Sequence, residues 1–182
     1  KHGFDASVQI TASHNPQEYN GFKVSGKDVM PVGYDNGLHK LEEWVHQAPV
    51  NPLATKGTIQ SMDVKGEYIR FLSSYKSPDI SSLRIGVDCS NGMAGMLIKD
   101  ILGEEPNYIF DQPDGTFPNH EPNPLEPHNQ EHIKKLVKEH SLDLGMIFDG
   151  DGDRVMFIDE KGAFISPDLI IALMGDYFLN YP

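Results

Sequence analysis

Apolar and polar positions alternate near the start of the chain, where Ala6, Val8 and Ile10 interleave with Ser7, Gln9 and Thr11. A period of two predicts a strand with one face turned inward. The strand runs directly into Ser13-His14-Asn15-Pro16, so Ser13 falls just past a strand end. The period then lengthens. Leu38, Leu41 and Val45 recur at helical spacing beside Trp44, which is read as helix packing, with Asn36-Gly37 as the entry. Residues 48–58 are rich in Pro and Gly without periodicity and predict a linker. Beyond it, Asp63 is placed to cap a helix whose Tyr68, Phe71, Leu72 and Tyr75 share one face.

From there strands and helices alternate. Residues 83–89 predict a strand, 90–95 a turn, 96–102 a helix and 107–110 a short strand. The Pro- and Asn-rich stretch 111–129 is too long to serve only as a connector in a compact domain. Ile133, Leu136 and Val137 mark another helix, and strands follow at 144–148 and 155–159. Ser166 before Pro167 is a cap followed by a first-turn proline, and Leu169, Leu173 and Tyr177 continue that helix. The alternation predicts an α/β fold with a largely buried sheet.

Composition narrows the function classes. The chain has 182 residues, 38% of them hydrophobic, with 17 Gly and 13 Pro, which suits a loop-rich globular protein. Fifteen basic residues against 27 acidic ones give a net charge of −12, which argues against nucleic-acid binding and against adhesion to an anionic membrane. A small anionic ligand remains compatible with that field, because a few local donors can override it. The single cysteine, Cys89, leaves no internal disulfide and points to a reduced, cytoplasmic setting. It ends a strand and is read as a small buried filler. His120, His128, His132 and His140 lack compact ligand spacing and are read as solvated side chains rather than a zinc site.

The strongest chemical signal is Asp149-Gly-Asp151-Gly-Asp153-Arg154, directly after a buried strand. Three crowded carboxylates raise one another's pKa unless a partner removes the conflict. A hard divalent cation does so, and the glycines let the backbone fold until the three aspartates converge. Magnesium takes about six oxygens, so three carboxylates leave room for a phosphoryl oxygen. An EF-hand loop also begins Asp-x-Asp-x-Asp, but its sixth position needs Gly and here is Arg154, with strands rather than helices on either side. A haloacid-dehalogenase-type phosphatase, with Asp149 as nucleophile, is the competing enzyme reading. A non-enzymatic metal- or phosphate-binding module is the third.

Ser13 alone would be an ordinary loop serine, since an alcohol is a weak nucleophile and no G-x-S-x-G elbow surrounds it. His14 is adjacent, but neighbours on an extended chain usually point to opposite sides, so adjacency is poor evidence for a Ser–His pair. Lys23 follows Asn20-Gly21, where a turn could return its ammonium toward the serine. Asn91-Gly92 and Gly95 fit a phosphate cradle or a tight strand-to-helix turn equally well.

Thr11-Ala-Ser-His-Asn-Pro16, then Glu18-Tyr-Asn-Gly-Phe-Lys23, and later Asp149–Arg154 resemble the α-D-phosphohexomutase superfamily, closest to its phosphomannomutase/phosphoglucomutase branch. Residues 87–95 and 114–127 resemble second-domain segments of the same enzymes. The resemblance implies the C-terminal part of a first domain over 1–60 and a largely complete second α/β domain over 63–167. Residues 168–182 would be a helix leading toward a third domain. It implies that Ser13 carries a phosphoryl group, and that Asp149, Asp151, Asp153 and a phosphoserine oxygen at Ser13 bind Mg2+. Lys23 and His14 become acid–base residues, Arg154 a phosphate-binding residue that donates a forked pair of hydrogen bonds, and Asn15 a second substrate- or phosphate-binding residue that orients the loop. The expected reaction moves phosphate reversibly between the 1- and 6-positions of a hexose phosphate, with hexose 1,6-bisphosphate as intermediate and activator. The expectation is also of a fragment, inactive alone, whose incomplete first domain would favour self-association with a second copy.

Overall fold

The computed structural model describes residues 2–47, 54–75 and 80–180; part of the linker expected over 48–58 lies outside them. The chain forms two compact units. One comprises Lys1–Thr11 with Asn20–Val64, and the other Ala12–Tyr19 with the chain from Lys65 onward. The serine segment therefore groups with the larger unit rather than with its neighbours in sequence.

In the smaller unit β1 (Ser7–Ile10), β2 (Phe22–Ser25) and β3 (Pro31–Val32) form an antiparallel sheet in that order. Ser7 pairs with Ser25 and Ile10 with Phe22, and the Thr11 N–H donates to the Gly21 carbonyl at 3.0 Å beyond the last pair. Helix α1 (His39–Gln47) follows where the spacing of Leu38, Leu41 and Val45 places it. The inward face expected of β1 is absent: Val8 is 60% exposed and Ile10 67%. Trp44, expected to pack, is 63% exposed. The pattern forms the strands and the helix, but no described element of this unit buries them.

The larger unit has three layers. Its sheet runs β5 (Asn107–Ile109), β4 (Ile85–Asp88), β6 (Leu144–Phe148), β7 (Val155–Asp159) and β8 (Phe164–Ile165). The first three strands are parallel and the last two antiparallel, so the sheet is mixed. Strand alternation sends Ile85, Val87 and Cys89 to one face, where they pack with Ile98 of α3 (Ile98–Leu102). The other face buries Ile147 and Ile158 against Ile133 and Val137 of α4 (Glu131–His140). Glycines make that contact close. Gly86 and Gly145 sit opposite each other on β4 and β6, and a Cβ on Gly145 would lie 2.8 Å from Val137 Cγ2. Arg84 and Asp143, just before β4 and β6, join through a forked pair of hydrogen bonds at 3.1 and 2.8 Å.

Helix α2 (Lys65–Ser73) begins two residues after Asp63, but Tyr68 and Phe71 are exposed while Ile69 and Leu72 are partly covered. The partly covered face is thus rotated from the expected one, and Phe71 and Tyr75 meet each other edge-on at 5.2 Å. Helix α5 (Pro167–Asn180) starts as predicted, with the Asp168 N–H donating to Ser166 Oγ at 3.3 Å. Its Leu169, Leu173 and Tyr177 are all exposed. No helix among the described residues is long and apolar enough to cross a membrane.

Candidate functional site

The acidic loop grows out of the sheet. Strand β6 ends at Phe148 opposite Val155 of β7, and the six residues between them form the turn. Asp149 enters it fully buried and is clasped by Arg154, whose Nε donates to Oδ2 at 2.9 Å and whose backbone N–H donates to Oδ1 at 3.2 Å. Gly152 takes φ +71°, a left-handed conformation that glycine adopts without cost. One carboxylate oxygen from each of Asp149, Asp151 and Asp153 lies within 4.8 Å of the others. Burial pushes the Asp149 carboxyl above its ordinary value, the Asp151 charge adds to that, and the Arg154 hydrogen bonds oppose it.

Arg154 Nε also lies 3.7 Å from Asp153 Oδ1, so one guanidinium faces two carboxylates, those of Asp149 and Asp153. The donor set is all hard oxygen, graded from the buried Asp149 to the exposed Asp153. It fits magnesium or a similar divalent cation, and it contains no nitrogen or sulfur that would select zinc.

The serine loop lies against this turn. The Asn15 N–H donates to the Ala12 carbonyl at 3.1 Å, closing a tight bend around Ser13, which takes φ +56°. A Cβ on Gly150 would come 2.6 Å from the Ser13 carbonyl oxygen, so only glycine at 150 admits the serine loop. Ser13 Oγ accepts from Arg154 Nη2 at 3.4 Å and lies 3.3 Å from His14 Nδ1. The expectation that Ser13 and His14 point apart is corrected here. It assumed an extended chain, and the left-handed turn at Ser13 swings the imidazole alongside the hydroxyl. Ser13, His14, Asn15, Arg154 and the three aspartates are therefore all carried by the larger unit. Lys23 is exposed on β2 of the smaller unit, opposite Gln9.

Other expectations divide. Cys89 is buried, and burial first, then the charges of Asp88 and Asp111, pushes its thiol up to about 12, so it is an inert filler. His120 is not solvated: its side chain is 4% exposed and its Nε2 lies 3.1 Å from Oδ2 of the fully buried Asp88. The loop that carries His120 folds inward, with Pro122 and Pro124 within it also fully buried. Sequence reasoning missed the pair. The available signal was a charged residue, Asp88, ending a strand that is apolar or small throughout.

An α/β/α unit bearing a serine turn against an Asp-Gly-Asp-Gly-Asp-Arg loop defines a family. The model described as phosphoglucomutase/phosphomannomutase alpha/beta/alpha domain II matches residues 66–162, and that for domain I matches residues 1–48. The chain belongs to the phosphoglucomutase/phosphomannomutase family. It is 37% identical to a phosphomannomutase of Salmonella montevideo, an alignment covering 98% of this chain and 41% of the relative. It is 35% identical to a protein of Xanthomonas campestris pv. campestris named for phosphohexose mutases, covering 94% and 39%. The crystal structure of a phosphoglucomutase/phosphomannomutase family protein from Burkholderia thailandensis superposes with a TM-score of 0.77 at 30% identity, covering 96% of this chain and 38% of that one. The chain thus spans about 41% of the length of such curated relatives.

Proposed function

We propose that this chain carries the phosphoryl-transfer centre of a phosphohexomutase, with Ser13 as the phosphate carrier. The observation that carries the reading is Ser13 Oγ at hydrogen-bond distance from Arg154, which also clasps Asp149 of the acidic loop. A hydroxyl beside a forked cation that is itself paired with two aspartates is poor equipment for a simple esterase. It suits a phosphoryl group, whose transfer depends mainly on positioning and charge neutralisation.

In this reading a free hexose hydroxyl attacks the phosphorus of phospho-Ser13. The new oxygen–phosphorus bond forms as the bond to Ser13 Oγ breaks, and the hydroxyl proton passes to Lys23 or His14. The resulting 1,6-bisphosphate turns over and returns its other phosphoryl group to Ser13, interconverting the 1- and 6-phosphates of mannose, glucose or both. Asp149, Asp151 and Asp153 would hold Mg2+, which when bound offsets negative charge on the phosphoryl oxygens. Arg154 offers a planar donor to the same oxygens. Gly150 keeps the serine backbone close to the acidic loop, and the bend closed by Asn15 fixes the hydroxyl's direction.

The test is a coupled mutase assay on the natural protein with mannose 1-phosphate and glucose 1-phosphate. Ser13→Ala should leave only trace turnover, and Asp151→Asn should weaken the magnesium dependence while the fold persists. Near-normal turnover in Ser13→Ala would overturn the assignment.

A further inference from the structure

Behind the acidic loop, on the α4 side of the sheet, lies a buried polar group that the transfer chemistry does not use. Asp88 ends β4 with no exposure. His120 Nε2 approaches both of its oxygens, at 3.3 and 3.1 Å, and His120 Nδ1 lies 2.8 Å from the Glu121 carbonyl oxygen. A carbonyl oxygen only accepts. Both ring nitrogens thus face oxygen atoms, a geometry that an imidazole donating from both nitrogens satisfies. Phe110 meets His120 and His132 edge-on, and the two imidazoles stack at 6.1 Å.

Asp88 Oδ1 in turn accepts the Ser90 N–H at 2.8 Å. That bond sits at the start of an unusual turn. Ser90 and Asn91 both take φ +51°, a pair of left-handed non-glycine residues. Such residues persist only where their surroundings over-determine them. Here the surroundings are specific: the Asn91 amide donates to the Gln112 carbonyl and accepts from Asn119, at 2.8 Å each. The turn reaches the acidic loop at two points. Ser90 Oγ donates to the Phe148 carbonyl at 2.6 Å, one residue before Asp149, and the Met93 N–H donates to the Gly150 carbonyl at 3.0 Å. Gly92 permits this approach, since a Cβ there would lie 2.7 Å from the Gly150 oxygen.

We propose that His120, Asp88 and Ser90 form a positioning relay that fixes the backbone of the acidic loop for its cation. The inference rests on the metal reading above. His120 locks Asp88, Asp88 holds the left-handed turn, and the Ser90 hydroxyl holds the carbonyl on which Asp149 is mounted. The relay acts on the loop through its backbone, with Ser90 on the Phe148 carbonyl and Met93, from the same turn, on the Gly150 carbonyl. Partners that orient ligands in this way typically govern metal affinity by about 10- to 100-fold.

The test is a Mn2+ titration of the 182-residue chain, read by calorimetry or by the paramagnetic signal, with thermal melts beside it. Ser90→Ala removes the hydroxyl. Ser90→Gly removes it too but relieves the left-handed backbone, so it keeps the test open if the alanine variant folds poorly. The expected result is roughly tenfold weaker Mn2+ binding in both variants, with the glycine variant melting at or near the wild-type temperature. Wild-type affinity in either folded variant would overturn the relay while leaving the metal site standing. A wild-type chain that takes up no Mn2+ would overturn the metal reading, and the relay with it.

Discussion

The two units carry equally clear sequence patterns and reach different ends. In the larger one Ile133, Val137, Ile147 and Ile158 are fully buried between helix and sheet. In the smaller one β1 alternates just as regularly, yet Val8 and Ile10 face outward uncovered, as does Phe22 of β2. Periodicity therefore specifies an element and its apolar face, while burial needs a second layer to receive that face. The larger unit supplies its own layers, α3 on one side and α4 on the other. The three-stranded sheet of the smaller unit receives none from the described residues.

The comparison sets the size of mutational effects. Ile133→Ala should destabilise the larger unit by about 2–5 kcal/mol, since it opens a cavity under α4. Denaturant melts followed by circular dichroism would show it, and a loss below about 0.5 kcal/mol would mean that α4 is not the lid of this core. Gly145→Ala comes next, at about 1–3 kcal/mol, because its methyl would press on Val137 and Ile133. Gly115→Ala, with nothing within 4 Å of the added carbon, is the control. Val8→Ala in the smaller unit should stay within about 0.5 kcal/mol, as for other exposed positions. A cost as large as that of Ile133→Ala would show that β1 is covered after all and erase the contrast.

A smaller, pH-dependent effect distinguishes the larger unit further. Burial lowers the His120 pKa, but the Asp88 hydrogen bond and charge, with the Glu121 carbonyl, more than reverse this and leave it raised. The groups facing His120 are Asp88 and the neighbouring His132. A raised folded-state value contributes stability that is fully present below the ordinary histidine value of 6.5 and is lost as pH rises through the folded value. Melting temperature should therefore fall on the alkaline side in the wild type, and fall less in His120→Phe. An identical alkaline limb in both would remove His120 as its source.

Much of this was legible in the chain. Strands 144–148 and 155–159 match their predicted limits, and the acidic loop between them was readable because three aspartates spaced by glycine have few alternative uses. The mixed character of the sheet was not readable, since a short apolar strand looks alike in parallel and antiparallel pairing. The Ser13–His14 contact depends on one left-handed residue, which no pattern of side chains announces. The Asp88–His120 pair joins residues 32 apart in sequence through a loop that reads as irregular but folds with buried prolines. Local patterns reveal what neighbours do together, and this site is assembled largely by residues that are not neighbours.

The most direct measurement of the central claim is peptide-resolved mass spectrometry after incubating the protein with a hexose 1,6-bisphosphate and Mg2+. The account predicts one added phosphoryl group, located on Ser13, absent in Ser13→Ala and diminished in Asp151→Asn. Phosphoryl transfer to another residue, or to none, would contradict it.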